Sequence, residues 1–331
     1  MSSLLLSLPS ELLQLVVLES TTPTQKALRS TCLRLGLIAT PLVFESLVID
    51  TRNRRHVSKF LRSLCSREGP ARYVQHIHLV SFKLPRKLPG LGKEKEWANL
   101  LAAAIPYMTS LKAISCSASE KRIFTNTALW RSLSHINSLS ISSWDGKQRK
   151  STPNLHLPGL TDLSFSGYGC LEYASTLIDT STSLSTLSVQ HSLHPDDRFD
   201  PFSPSVLILF HGSQSSSLTT LSLSGNLSLS VAEVPSFIPH LRRLQSLSLN
   251  MDFVPSEFWQ SLRREEIYIK EKFALTIWDA EHAVFDYLCS YTGLRHLVLH
   301  IKEGVGNDGV KKVTRRHRRT LCDVDVQVGA S

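Results

Sequence analysis

The chain has 331 residues, which is enough for one elongated domain or two compact ones. Hydrophobic residues make up 42% of the sequence, so a sizeable core can form, which argues against wholesale disorder. With 37 basic and 28 acidic side chains, the formal net charge is +9, which favours acidic partners without naming one.

Cysteine usage and hydropathy favour a reducing compartment. The six cysteines are scattered and form no C-x-x-C pair, which argues against a disulfide framework or a zinc site. No basic residue precedes the apolar N-terminus, and no apolar run reaches about 18 residues. We therefore expect neither a signal peptide nor a membrane span, and a cytoplasmic or nuclear location.

The N-terminal residues predict a short amphipathic helix over 8–19. Pro9 suits the first turn of a helix because its missing N–H has no partner to lose there. Leu8, Leu12 and Val16 recur at helical spacing, so they share one face.

A second helix is predicted from Gln25 to about Ala39, where Pro41 is expected to stop it. Two short helices within about 45 residues cannot form a stable core alone. They must pack on the following domain or on a partner. We keep both interpretations open: a cap on the repeats that follow, or a protein-docking module.

The same residues resemble an F-box, and more narrowly the F-box followed by repeats that many fungal proteins carry. The resemblance rests on L-P-x-E-L-L starting at Leu8, on Leu28-x-x-x-Cys32-x-x-Leu35, and on P-L-V-F-x-S-L starting at Pro41. The segment D-Y-L-C-S-Y-T-G-L starting at Asp286 is similar to one near the C-terminus of those proteins.

The resemblance implies that residues 1–45 form an F-box-like helical module that binds the Skp linker subunit, and through it a cullin. The protein would then be a substrate-recruiting adaptor of an SCF-type ubiquitin ligase, not itself an enzyme, with the repeats holding an unknown protein substrate. No cofactor and no catalytic residue are implied. The docking positions carried over from the family are Leu8, Pro9, Leu12, Val16, Leu28, Cys32 and Leu35.

The rest of the chain is built on the pattern seen over Leu218–Asn226, L-x-x-L-x-L-x-x-N, which is typical of a leucine-rich repeat. Leu221 and Leu223 are two residues apart and point to one side of a short strand. One such unit cannot bury its leucines without neighbours, so we expect a stacked array.

The pattern recurs through residues 46–331 and predicts one repeat domain. A degenerate repeat is expected around Ile267–Ile277, and the lack of a capping repeat after Val328 suggests a domain truncated at its C-terminus. The predicted strands carry the apolar triplets Phe44/Leu47/Ile49, Val74/Ile77/Leu79, Leu111/Ile114/Cys116, Ile136/Leu139/Ile141, Leu160/Leu163/Phe165, Leu184/Leu187/Val189, Leu218/Leu221/Leu223, Leu244/Leu247/Leu249, Leu294/Leu297/Leu299 and Leu321/Val324/Val326.

Helix-like segments separate these strands. The predicted fold is therefore α/β: an irregular leucine-rich-repeat solenoid with a parallel inner sheet and outer helices, preceded by the small all-α F-box module. The predicted helical segments are Val57–Ser66, Trp97–Tyr107, Thr127–Leu133, Cys170–Thr180, Pro204–His211, Pro235–Arg243, Ala280–Tyr291 and Val310–Arg319.

A row of small polar residues is expected on the open face of the sheet. Serine occupies the position between the last two apolar residues in six successive repeats: Ser115, Ser140, Ser164, Ser188, Ser222 and Ser248. Because serine is under-represented among binding hot spots, we expect this face to anchor partners poorly. Substrate anchors are predicted on the loops instead, at Trp144, Tyr168, Phe199 and Phe202.

Other candidate sites have simpler explanations. The His/Asp-rich stretch 191–200 contains prolines and no aligned spacing, so it predicts a solvated loop and no metal site.

The basic run Lys311–Arg319 fits a solvated helix face, or alternatively a nuclear-import signal or nucleic-acid contact. Its lack of interleaved aromatic residues argues against a single-strand binding platform, and the solvated face is favoured over a nucleic-acid partner. A non-enzymatic repeat scaffold with an N-terminal cap remains the alternative function.

Overall fold

The structure is a computed structural model of the full chain. It describes residues 6–50, 54–66, 69–80, 93–117, 127–145, 156–192, 203–210, 217–279, 282–303 and 307–328.

The N-terminal module contains three helices, α1 (Ser10–Leu18), α2 (Thr22–Arg29) and α3 (Leu33–Glu45). The single second helix expected from Gln25 to about Ala39 was therefore wrong. A turn separates α2 from α3. The Ser30 and Thr31 hydroxyls donate to the Ala27 and Leu28 carbonyls at 2.7 Å, in place of the backbone N–H groups that would continue the helix.

Pro41 does not end the helix as predicted, since it lies inside α3. Proline removes one helical hydrogen bond but does not prevent the chain from remaining helical when packing holds both sides. Ala39 and Phe44 are buried on either side of it. The Arg29 guanidinium lies 4.7 Å from the centre of the Phe44 ring and so covers that end of α3.

The module has a small core of its own. Leu13 and Val17 of α1 pack with Leu35 and Ala39 of α3, and all four are buried. The buried side chain of Gln25 donates from Nε2 to the Val17 carbonyl in the last turn of α1 and to the Ser20 carbonyl just after the helix, each at 3.0 Å. This amide therefore supplies hydrogen bonds to carbonyls that lack a partner within α1.

Eleven strands form one sheet among the described residues, in chain order from first to last. The registers run in parallel, so each repeat adds one strand beside the previous one. The strands are β1 (Ser46–Asp50), β2 (His76–Val80), β3 (Ala113–Ser117), β4 (Ser138–Asp145), β5 (Asp162–Tyr168), β6 (Thr186–His191), β7 (Thr220–Gly225), β8 (Ser246–Asn250), β9 (Lys272–Asp279), β10 (His296–Glu303) and β11 (Asp323–Val328).

All ten predicted strands are confirmed, and the degenerate repeat is β9. The leucine-rich-repeat fold follows directly from the alternation of burial along each strand. In β5 the buried positions are Leu163, Phe165 and Gly167, and the residues between them are half-exposed. Burying the apolar row of each strand is the dominant stabilising term, at about 25 cal/mol per Å².

Helical segments lie between the strands, as predicted. The segment predicted at Pro204–His211 is a 3-10 helix, Val206–Phe210. The one predicted at Pro235–Arg243 is a one-turn α-helix, Val234–Phe237, between the 3-10 helices Val231–Glu233 and Ile238–Leu241. The α-helices are α4 (Arg54–Leu64), α5 (Lys93–Ala104), α6 (Thr127–Ser132), α7 (Leu171–Thr180), α8 (Val234–Phe237), α9 (Ser256–Arg264), α10 (His282–Cys289) and α11 (Asn307–His317).

Helix α9 was not predicted. It buries Phe258, Trp259 and Leu262. The Trp259 ring lies 5.7 Å from Phe273 and 5.9 Å from Tyr287, so α9 supplies the aromatic centre of the core beneath β9. Aromatic pairs at this separation add about 0.5–1.5 kcal/mol beyond the area that they bury.

The chain divides into two compact units, 1–140 and 141–331. The predicted boundary after residue 45 falls inside the first unit and stays a prediction. Among the described residues, no helix is long and apolar enough to cross a membrane.

Candidate partner-docking surface

Helix α1 is apolar on two faces, of which only one is covered. Leu13 and Val17 are fully buried. Leu12, Leu15 and Val16 are 46%, 54% and 41% exposed, and their spacing places them together on the opposite face. Adjacent exposed aliphatic residues of this kind mark interaction sites more often than ordinary surface.

Helix α3 exposes two more leucines that sequence reasoning missed. Leu33 is 81% exposed and Leu37 is 68% exposed, and they lie one helical turn apart. The family resemblance gave docking roles to Leu28, Cys32 and Leu35 and none to these two positions. The i, i+4 pair was nevertheless visible in the sequence.

The seven docking positions carried over from the F-box family fall into different environments. Pro9 is exposed, as are Leu12 and Val16. Leu35 is only 4% exposed and belongs to the core of the module. The remaining three are half-buried and pack against that core: Leu8, Leu28 and Cys32.

The N-terminal approach to α1 is held by Arg34. Its guanidinium donates to the carbonyls of Leu6 and Leu8 at 2.6 and 2.9 Å, and to the Ser10 hydroxyl at 3.2 Å. These bonds fix the segment before α1 to the start of α3. The exposed leucines of the two helices are therefore held on one small, cross-linked module.

A second candidate surface is the sheet face that alternates with the buried rows. In the second unit Ser164, Ser188, Ser222 and Ser248 lie in register on consecutive strands. The predicted serine row is thus confirmed over these repeats, and its members are half-buried. In the first unit, His78 Nδ1 and the Ser115 hydroxyl of the neighbouring strand lie 2.7 Å apart.

The strand ends of β5–β7 place Tyr168 beside a buried histidine. The Tyr168 ring is half-exposed, and its centre lies 6.2 Å from that of His191. His191 donates from Nδ1 to the Asn226 carbonyl at 3.0 Å. Burial lowers the pKa of His191, so the ring is neutral at neutral pH and serves this bond.

The loop after β7 is built around a glycine that cannot be replaced without a clash. Gly225 has φ +89°, and a Cβ there would lie 1.9 Å from the His191 carbonyl oxygen. The following residue, Asn226, accepts a hydrogen bond on Oδ1 from the Ser203 hydroxyl at 2.6 Å. The stretch that carries the repeat pattern L-x-x-L-x-L-x-x-N therefore has a tightly specified geometry.

The other predicted substrate anchors cannot be placed beside Tyr168. Trp144 belongs to β4, but its side chain lies outside the described part, as do Phe199 and Phe202. Sequence reasoning missed Phe253, which is 58% exposed after β8, and Val231, which is 51% exposed after β7.

The described residues offer no metal cluster of three or more His, Cys, Asp or Glu side chains. His191, the first residue of the His/Asp-rich stretch, is engaged by Asn226, and positions 193–200 lie outside the described residues. Burial raises the pKa of the Cys116 and Cys170 thiols to about 12, so both are protonated and unreactive at neutral pH.

No protein-family model matches the chain, and no curated protein matches it significantly. Solved structures resemble the chain at low identity. A structural-genomics target from Bacteroides fragilis is 11% identical with a TM-score of 0.48, covering 86% of this chain and 74% of that one.

A chain of the Rad7 and Elc1 complex from yeast is 13% identical with a TM-score of 0.47, covering 96% of this chain and 88% of that one. Human 5T4, also called trophoblast glycoprotein, is 15% identical with a TM-score of 0.35, covering 78% and 77%. At these identities and TM-scores the likenesses say nothing about function.

Proposed function

We propose that the protein is a substrate-recruiting adaptor of a cullin-RING ubiquitin ligase of the SCF type. The N-terminal module would bind the Skp linker subunit, and the repeats would bind the protein to be modified. The ligation chemistry would take place on other subunits, so the chain itself supplies binding and position.

The observation that carries this proposal is the exposed aliphatic surface of α1 and α3. It coincides with the segment whose sequence resembles an F-box. Burying one exposed leucine against a partner contributes about 1.5–3 kcal/mol, so four or five such residues can support a stable complex. The half-buried docking positions Leu28 and Cys32 would lie at the margin of that surface.

Co-purification with the Skp linker tests the proposal. Leu12→Asp and Val16→Asp would each place a charge on the exposed face of α1, so we expect loss of the linker from the purified complex. Gln14→Asp is the matched control, since Gln14 is an exposed polar residue of the same helix. Circular dichroism of each variant separates lost docking from lost folding.

Retention of the linker by both Leu12→Asp and Val16→Asp would reject the docking function. The second candidate function is then a repeat scaffold whose N-terminal helices are a cap. A specific observation favours this alternative: α3 runs directly into β1, and the Gln75 N–H donates to the Glu45 carbonyl at 2.8 Å. The module is thus joined to the first repeats, as a cap would be.

A further inference from the structure

Helix α11 and the turn after it carry the densest basic surface of the described residues. Six exposed cations lie within nine positions, four on the helix and two in the turn, and one acidic residue, Asp308, accompanies them on the helix. Among the described side chains, Lys311 is the one cation of this group with an ion-pair partner, Asp308 at 3.7 Å. The six cations are Lys311, Lys312, Arg315, Arg316, Arg318 and Arg319.

The helix is fixed in rotation by its opposite side. Val313 and His317 are buried, at 0% and 1% exposure, and they lie one turn apart. His317 donates from Nε2 to the Leu288 carbonyl at 2.8 Å and accepts on Nδ1 from the Leu294 N–H at 3.2 Å. The helix therefore cannot rotate to bring the cations toward the core.

One cation is used to hold the helix. Arg316 donates from Nε to the Tyr291 carbonyl at 3.2 Å. Lys312 and Arg315 are three apart on the helix, and Arg318 follows in the turn directly after it, so these exposed side chains continue as one stripe. The stripe from Lys311 to Arg318 is about 10 Å long at 1.5 Å per residue.

Carboxylates lie beside this stripe on α11 itself and on α10. Asp308 lies 3.7 Å from the Lys311 ammonium at the start of α11. Asp286 of α10 is exposed, and its charge acts on the Cys289 thiol together with those of Lys312 and Arg316. A nucleic-acid duplex presents a phosphate charge about every 1.7 Å over its whole length, so it would extend past the stripe and meet these carboxylates. An extended acidic peptide advances about 3.3 Å per residue, so three or four of its residues match the stripe.

We infer that the basic stripe of α11 is a docking surface for a short acidic segment of a partner protein. Arg315 and Arg318 would bind carboxylates as planar forks, and Lys312 would act as a compact charge between them. This inference goes beyond the proposed function, because it requires neither the N-terminal module nor the Skp linker.

Fluorescence anisotropy of the full chain with a labelled peptide tests the inference. The probe is a peptide with about four consecutive glutamates, enough to cover the stripe at 3.3 Å per residue. A peptide of the same length with glutamine in place of glutamate controls for charge, and a short DNA duplex reports the nucleic-acid alternative. Each titration is repeated at low and at high salt.

The test variant is Lys312→Gln with Arg315→Gln. Its matched control is Arg243→Gln with Arg263→Gln, two exposed arginines elsewhere in the same unit. We expect the test variant to weaken glutamate-peptide binding at least about tenfold, as loss of charged hydrogen bonds predicts. The control variant should retain the affinity of the unmodified chain within about twofold.

Three results would overturn the inference. Equal weakening by the two double variants would mean that net charge alone binds the peptide. Equal binding of the glutamine peptide would exclude carboxylate recognition. Tighter binding of the duplex than of the peptide, lost in the test variant, would assign the stripe to nucleic acid.

Discussion

His317 accepts a hydrogen bond on Nδ1 from the Leu294 N–H at 3.2 Å, which fixes the position of the proton on its imidazole ring. Nδ1 must be unprotonated to accept, so the proton is on Nε2, which donates to the Leu288 carbonyl. Protonation of His317 would therefore remove one of the two bonds and place a charge in the core.

Stability should fall as the pH falls through about 6.5, the ordinary pKa of histidine. Burial lowers the pKa of His317, as it does for His191 and His240. Since the unfolded chain binds these protons more readily than the folded chain, stability is fully present above that pKa and is lost below it.

Urea denaturation at pH 7.5 and pH 5.5 measures the effect. His317→Gln should be less stable at both values by about 1–3 kcal/mol, because it leaves buried partners unsatisfied. It should also show a smaller difference between the two pH values than the unmodified chain. An unchanged pH difference would mean that His317 does not titrate in this range.

Alanine substitution of two glycines with positive φ distinguishes the cost of backbone strain from the cost of a steric clash. Gly225 has φ +89° with the His191 carbonyl 1.9 Å from the position of a Cβ, whereas Gly293 has φ +106° with nothing within 4 Å. Gly293→Ala should destabilise by about 1–3 kcal/mol through strain alone. Gly225→Ala should cost more than this, because the His191 backbone must move.

Thermal unfolding of the two alanine variants checks the difference. If Gly225→Ala and Gly293→Ala lowered the melting temperature equally, the close contact with His191 would add nothing to the loss of stability. Loss of the Tyr168–His191 arrangement in Gly225→Ala should also appear as a change in near-ultraviolet circular dichroism.

The Tyr287 hydroxyl satisfies two backbone hydrogen-bonding groups of the preceding loop. It donates to the Ile267 carbonyl at 2.8 Å and accepts from the Ile269 N–H at 3.3 Å. Tyr287→Phe keeps the ring but leaves both groups unsatisfied, so we expect a loss of about 1–3 kcal/mol in unfolding free energy.

Tyr268→Phe is the control, because the half-buried Tyr268 ring stacks on Tyr291 at 5.0 Å and the substitution preserves the ring. It should change stability by less than about 0.5 kcal/mol. Chemical denaturation of both variants makes the comparison, and a similar loss in the two would argue against the hydrogen-bonding role of Tyr287.

The regular repeats could be predicted from the sequence, because burial of two apolar residues per strand needs only a period of two. The strand β9 was seen only as a degenerate repeat for a physical reason. The position that would carry the first leucine is Lys270, which is exposed, and the buried Ile269 lies one residue earlier. Nearby Glu266 has φ +53°, so the approach to this strand is irregular.

The candidate docking surface was only half predictable. Helical spacing identified the exposed face of α1, since Leu12 and Val16 lie one turn apart. The exposed pair on α3 was missed because hydroxyl groups at Ser30 and Thr31, and not an apolar pattern, decide where α2 ends. Which apolar face of a helix is covered depends on tertiary packing, which the sequence pattern alone does not contain.

The hydroxyl of Tyr287 and the imidazole of His317 both reach back to the repeat before their own. Tyr291 does the same, donating to the Ile269 carbonyl at 2.8 Å. Each repeat in this region is therefore completed by the helix that follows it. Loss of α11 would uncover the Leu288 carbonyl and the Leu294 N–H, so unfolding that begins at α11 should spread towards β9 and not remain local.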